Sequence, residues 1–488
     1  MRRYLDEYRL RVATGHVERF RLRGTLRTVG ADLRWMAGQG LPPAERASWA
    51  ARSLVHRAGR RLAAPAESRA ARLSASVNRA LSFERRAAGA SAAAETVAVP
   101  PGVHVDPWRG RTEDYIEAAL VRALGATPLL DPVPGMAERE RLRIAMLLPG
   151  FRRVSGGHHT LLQILARLEQ RGHVCSVWVH DVMHMHDADG PGVLRHDLRD
   201  YFAPIAAPVY KGFDFWQGAD VTIATSWQTV YPALLRDACR ARVYIVNDDE
   251  PEFYATSVER ELAARTYSQG LYCIAASPWL RDMLTERYGA HAEAFQLGVE
   301  HEVYQPRPIG RGEDTVIYYA RHGTPRRAVP TGIAALRELY DRRPQTRIVL
   351  FGDKDPCEAP FPYEHLGVLS GVELSWLYSQ ATVGLCLSMT NFSLVPKEML
   401  ACGLPCVELA GVSAESIFGE RGPIELAELD PIALAVAIER LLDNPALRER
   451  RSQEGIAFVA GHTWEHAADQ VETGLRGALR LRQADWDA

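Results

Sequence analysis

The chain has 488 residues, too many for one hydrophobic core, and its 47% apolar content is that of an ordinary globular protein. A formal net charge of −2 excludes a molecule held to polyanions by its overall charge. Seven cysteines, odd in number and isolated in apolar runs, exclude a disulfide-stapled scaffold and predict buried, reduced thiols in a cytoplasmic protein.

Residues 1–98 stand apart. The first hundred residues hold 19 Arg, no Lys and 8 acidic residues, with Leu10, Phe20, Leu26, Leu33, Trp35, Met36 and Leu54 interspersed. This pattern predicts two or three Arg-rich helices running into an Ala/Ser-rich linker at 87–98. One reading is a solvated cap on the body of the protein. The other is docking to anionic lipid headgroups at the inner face of the plasma membrane, where each Arg contributes about 1 kcal/mol. Nucleic acid is not an expected partner, because no reader motif is present and few aromatics lie among the Arg. No secretory h-region and no membrane-length apolar run is expected to change that placement.

From residue 142 strands and helices alternate, which predicts parallel α/β sheets. Leu142–Leu148 reads as the first buried strand and is followed by a loop with Gly156 and Gly157, where the backbone can approach a ligand closely. Further strands are predicted at 173–180, 220–225, 242–247 and 272–276. The run His180–Asp189 holds good metal-ligand types but ends in Gly190-Pro191-Gly192, and is read as a cleft-edge or surface loop without a metal. Asp248 and Asp249 follow the strand at 242–247, where ligands of open sheets bind, and so are placed for chemistry. A second set of strands begins at Thr315, with Arg321 at the first strand's carboxyl end and Arg326 and Arg327 in the loop beyond. Arg suits a diphosphate through its planar fork and permanent charge. Leu374, Trp376, Leu377 and Tyr378 read as helix packing, and Thr463-Trp464 as the start of a last helix.

The densest information lies at 388–407. The turn before Pro396 is expected to present the amides of Ser393, Leu394 and Val395 at the mouth of a helix, a ready anion site. Glu398 is placed in the first turn of that helix, as an acceptor for ribose hydroxyls. Cys402 and Cys406 fall on different elements and are not expected to bind metal. No Gly-x-Gly-x-x-Gly follows a strand, and none of the three lysines (Lys211, Lys354, Lys397) follows a glycine, so dinucleotide and P-loop chemistry are excluded.

Glu398 with Ala401-Cys402-Gly403-Leu404-Pro405-Cys406-Val407 resembles the donor-site motif of GT-B glycosyltransferases of the fourth family, over roughly residues 140–480. Met389–Pro405 and Tyr319–Arg327 are most similar to bacterial rhamnosyltransferases that build surface rhamnan chains. The resemblance implies two Rossmann-like parallel-sheet domains facing across a cleft: 99–310 for the acceptor, 311–462 for the donor, and 463–488 as a helix crossing back. It implies that Gly156 and Gly157 face the donor phosphates and that Arg321, with Arg326 or Arg327, grips them. Gly352 and Leu369 would border the base pocket, and Thr390, Asn391, Ser393, Leu394 and Val395 the donor. Thr390 departs from the family, where a first Glu contacts the sugar.

The expected activity is transfer of a sugar, L-rhamnose from dTDP-L-rhamnose by resemblance, to a glycan or lipid-linked glycan, with retention and without a metal cofactor. Asp248, Asp249, Arg321 and Glu398 are the candidate catalytic group. A UDP- or GDP-sugar donor, a nucleotide-sugar epimerase on the same scaffold, and a non-catalytic scaffold that recruits glycan enzymes are the competing readings.

Overall fold

The structure, a computed structural model, describes residues 111–153, 155–311 and 314–487. The basic extension foreseen at 1–98 lies outside them. A first helix, α1 (Arg111–Leu124), precedes a sheet of seven parallel strands. These are β1 (Arg143–Pro149), β2 (Val174–His180), β3 (Val209–Lys211), β4 (Ala219–Ala224), β5 (Cys239–Val246), β6 (Tyr272–Ala275) and β7 (Ala292–Ala294). Their spatial order is β3-β2-β1-β4-β5-β6-β7. Helices α2 (Gly156–Gln170), α3 (Pro191–Tyr201), α4 (Trp227–Leu235), α5 (Val258–Thr266) and α6 (Pro278–Tyr288) make the crossovers. Every residue of β4 and all but the ends of β1 are buried, which is what a parallel sheet covered on both faces requires.

The second sheet has six parallel strands: β8 (Thr315–Tyr319), β9 (Arg347–Phe351), β10 (Glu364–His365), β11 (Val383–Leu385), β12 (Cys406–Leu409) and β13 (Glu425–Ala427). Its order is β10-β9-β8-β11-β12-β13. It carries α7 (Val329–Arg342), α8 (Gly371–Gln380), α9 (Leu394–Ala401), α10 (Val412–Phe418), α11 (Pro431–Asp443) and α12 (Pro445–Val459). The last helix, α13 (Trp464–Asp487), returns to the first sheet, where Arg171 pairs with Asp469 at 2.7 Å and Glu472 at 3.0 Å, and Trp464 lies edge-on to His159. Both sheets belong to one compact unit, Asp106–Ala488.

Two residues tie the connection between the sheets to the helix ends of the second sheet. Arg311 donates to the carbonyls of Tyr378, Ala381 and Cys402, satisfying the open ends of α8 and α9 at once. Gly403 sits at φ +68°, where a Cβ would lie 2.8 Å from Ser452 Oγ and 3.2 Å from the Arg311 guanidinium. The glycine of the Gly403-Leu404-Pro405 turn is therefore fixed by backbone conformation and by Arg311. Of the cysteines, six are buried, Cys357 is partly exposed, and all are free. Among the described residues no helix is long and apolar enough to cross a membrane.

Candidate active site

The strand order reverses between β1 and β4 in one sheet and between β8 and β11 in the other. Loops leaving the carboxyl ends at such switch points diverge and open a crevice. The two crevices face each other and form one cleft of about 1200 Å³.

Two helix N-termini meet in it. Ser155 caps α2, so Gly156 and Gly157 form its first turn. A Cβ on Gly156 would come within 3.8 Å of Leu394 Cδ1, and one on Gly157 within 3.7 Å of Asn247 Nδ2. Gly156 thus faces the start of α9 across the cleft, with no side chain to shield either amide set. Within α9 the expectation needs two corrections. The Ser393 hydroxyl accepts from the Val395 amide at 3.3 Å, and Pro396 has no N–H, so the amides of Ser393 and Leu394 are left for an anion. Glu398 also opens the second turn of the helix, not the first.

Positive charge enters from β8. Arg321 and Arg327 line the cleft. Arg327 donates to Ser388 Oγ at 2.5 Å, and Ser388 in turn donates to Glu408 through its amide (2.7 Å) and hydroxyl (3.2 Å). Burial pushes the Glu408 carboxyl up to about 7, against the Leu409 amide and the Arg327 charge. Arg326 also lines the cleft but is differently engaged: its Nε lies 3.2 Å from Asp248 Oδ2, and its guanidinium stacks 4.0 Å from the Phe253 ring centre.

That ion pair belongs to a strut across the cleft. Asp248 Oδ1 accepts from the amides of Asn391 and Asp249, each at 2.9 Å, and Asn391 Nδ2 donates to the Asn247 carbonyl at 3.0 Å. Both Asp248 oxygens are thereby committed. Asp249 does not line the cleft; burial and the charges of Glu252 and Asp248 raise its carboxyl to about 6. Thr390 and Asn391 do not line it either: both are buried, and Asn391 is spent on the strut. Glu250, in the same acidic turn, does line the cleft, with its carboxylate accepting from the Trp227 amide and the Tyr244 hydroxyl, each at 2.8 Å.

Glu398 faces the cleft beside Tyr304 and Glu300. Loss of solvent and the Glu300 charge raise its carboxyl to about 8, while a hydrogen bond with Tyr304 pulls the other way. Glu300 is held by His159 Nε2 at 3.2 Å and Gln163 Nε2 at 3.0 Å. Burial pushes its carboxyl up, but those partners bring it below the usual range. No local motif marks Glu300, Tyr304 or His159; they reach the cleft from the connection between the sheets and from α2. Gly352, at φ +103°, gives way to the Tyr319 ring, 2.5 Å from where its Cβ would stand, and Phe351, Gly352 and Leu369 line the cleft together. Leu374 also lines it, and Trp376, foreseen as packing, is exposed under the Arg307 guanidinium. Val182 and Met183 of the His-rich loop reach the cleft rim.

Lys397 lies beside Glu398 but points away, donating to the Leu297 carbonyl at 2.9 Å from a fully buried position. Burial lowers its pKa to about 7. A base depressed in the fold destabilises it fully below the folded pKa, and the cost fades as pH rises toward the unfolded value. Lys397→Met should therefore raise the melting temperature, by on the order of 5 °C more at pH 6 than at pH 9.5. Equal shifts at both pH values would mean that the amine is solvated.

Residues 326–473 match the family model described as glycosyl transferase-like. The chain is 27% identical over 343 residues to the O-antigen biosynthesis protein RfbC of Myxococcus xanthus, an alignment covering 67% of this chain and 26% of that one. It thus spans about a quarter of that relative's length. It is 29% identical over 170 residues to D-inositol 3-phosphate glycosyltransferase of Corynebacterium diphtheriae, covering 30% of this chain and 39% of the relative. Among solved structures, HepE of Anabaena in complex with UDP and glucose superposes with a TM-score of 0.54 at 15% identity, over 69% of this chain and all of that one. Sucrose-phosphate synthase from Thermosynechococcus elongatus gives 0.51 at 15% identity over 72% of this chain and all of its own. With its paired parallel sheets, facing switch points and returning last helix, the chain has the GT-B glycosyltransferase fold.

Proposed function

We propose that the protein is a glycosyltransferase that moves a sugar from a nucleoside diphosphate to a glycan acceptor in cell-surface polysaccharide synthesis. The observation that carries this reading is the meeting, in one cleft, of two helix N-termini, two arginines and Glu398. Amides of Ser393 and Leu394 with Arg321 and Arg327 would hold the diphosphate and take up the charge that grows on it as the glycosidic bond breaks. That work needs no metal. Glu398 would accept from the nucleoside sugar hydroxyls, and Phe351, Gly352 and Leu369 would flank the base. The acceptor would enter beside Gly156, Gly157 and the His159–Glu300 pair.

The donor we favour is dTDP-L-rhamnose, supported by the likeness of 319–327 and 389–405 to rhamnan rhamnosyltransferases and by the O-antigen relative. Thr390 bears on it too: the acid that grips a sugar hydroxyl in related enzymes is missing, and its replacement is buried. The proposed outcome is retention, with the departing phosphate accepting the acceptor's proton. Asp248 suits the role of strut better than that of base, since both its oxygens are occupied. Incubating the protein with dTDP-rhamnose, UDP-glucose and GDP-mannose, with and without a glycan acceptor, tests the reading. Acceptor-dependent release of dTDP supports it. Turnover without acceptor favours an epimerase, and no turnover or nucleotide affinity favours a scaffold.

A further inference from the structure

Away from the cleft, α1 and the end of β2 meet in a buried, charge-unbalanced cluster. Asp114 and Glu117 are three residues apart and so share one helical face. His180 closes β2 opposite them. His180 Nε2 lies 3.1 Å from Glu117 Oε2 and 3.9 Å from Asp114 Oδ1, and all three ligand atoms fall within 4.8 Å of one another. The side chains of Asp114 and His180 are 4% and 9% exposed. Asp114 Oδ1 is buried without a hydrogen-bond partner, and His180 Nε2 and Glu117 Oε2, equally buried, have only each other. A buried carboxylate oxygen left unsatisfied beside such a pair is rare in a folded core, where polar groups are normally satisfied.

Glu113 and Glu259 add negative charge around Asp114, and the Phe213 ring, 5.6 Å from His180 and covered by the Arg236 guanidinium, closes one side. Two atoms bound to one ion at about 2.0–2.1 Å stand ~3.3 Å apart at the tetrahedral angle. The observed separations of 3.1 and 3.9 Å bracket that value. One imidazole with two carboxylates suits a borderline divalent ion better than a hard one. None of the three residues lines the cleft, so this site is separate from the proposed catalytic one.

We propose that Asp114, Glu117 and His180 form a structural Zn²⁺ site that fastens helix α1 to the carboxyl end of β2. The ion would fix the start of the following loop, whose Val182 and Met183 form part of the cleft rim. The rest of that loop is already tied down: Asp181 accepts from the amides of Met185 (2.9 Å) and His186 (2.8 Å), and the His186 ring packs 4.3 Å from Phe151. The site therefore anchors the one end of the loop that these bonds leave to His180.

The test uses the full chain, stripped with EDTA, dialysed, and titrated with ZnCl₂ by calorimetry and thermal melting. Expected are Zn²⁺ binding with a rise in melting temperature, and at least a tenfold loss of affinity in Asp114→Asn and in His180→Gln. Both variants should still unfold cooperatively in EDTA, which separates a lost ligand from a lost fold. Should either variant fail to fold, Glu117→Gln at the more exposed ligand takes its place, with the same expected loss. The proposal is overturned by absence of Zn²⁺ binding to the wild type, or by equal affinity in wild type and variants.

Discussion

Glu398→Ala should lower kcat/KM by ~10- to 100-fold with a deoxyribonucleotide donor, with the protein still folded. In an assay at pH 9, above the Glu398 value of about 8, a hydrogen bond to its charged carboxylate contributes about 1.5–3 kcal/mol, and a thymidine donor offers one sugar hydroxyl to it. A uridine or guanosine donor offers two, so the same substitution should then cost roughly 10²- to 10⁴-fold. The size of the loss thus reports the nucleoside as well as the site. Stability serves as the control. Glu398 is raised to about 8 by loss of solvent and by Glu300, so its penalty to the fold grows from pH 4.5 upward and is complete only above the folded value. The alanine variant should melt with the wild type at low pH and above it at pH 9. Near wild-type turnover in the variant would remove Glu398 from the donor site.

Arg321→Ala is expected to lower kcat by about 10²- to 10³-fold, the usual cost of losing one preorganised partner of developing charge. Lysine should restore little, because it replaces a planar fork with a point charge. Arg321 is only partly buried and stands at a strand end, so the melting temperature should hold. Arg326→Ala makes the contrast: it breaks the pair with Asp248 and the stack on Phe253, and so acts on how the two domains are held together. A kcat defect in Arg326→Ala as deep as that in Arg321→Ala would mean that the two arginines share the diphosphate.

Much of this was legible in the chain because it is local. Strand alternation, the Gly156-Gly157 turn, Arg321 at a strand end and the start of α9 are each set by a few neighbouring residues, and the fold follows from their order. The misplacements have a common cause. Asp249, Thr390 and Asn391 sit in the right loops, but successive residues of a turn point in different directions, and only tertiary contact selects which faces the cleft. Asn391 turns to Asp248 because the two loops touch across the domains, a partnership between residues far apart in the chain. Glu300, Tyr304 and His159 escaped for the same reason: each is unremarkable among its neighbours and gains meaning from Glu398. His180 is the reverse case. Its neighbouring histidines and aspartates pair locally, His184 with Asp187 and His186 with Asp189, while its own partners come from α1.

The strut also bears on how the site works. Asp248, Arg326 and Asn391 join the domains beside the arginines that would hold the diphosphate, so a bound donor and the domain contact share a border. The amide donors and guanidinium groups are then positioned before the nucleotide arrives. Preorganised charge of this kind is where an electrostatic catalyst gains most.

The most direct measurement is a calorimetric titration of the protein with dTDP, UDP and GDP, in EDTA and again with Mg²⁺. The account predicts one nucleotide site per chain, metal-independent, preferring dTDP and lost in Arg321→Ala. Binding that prefers UDP or GDP would keep the site and overturn the rhamnosyl donor; the absence of binding by all three would contradict the account itself.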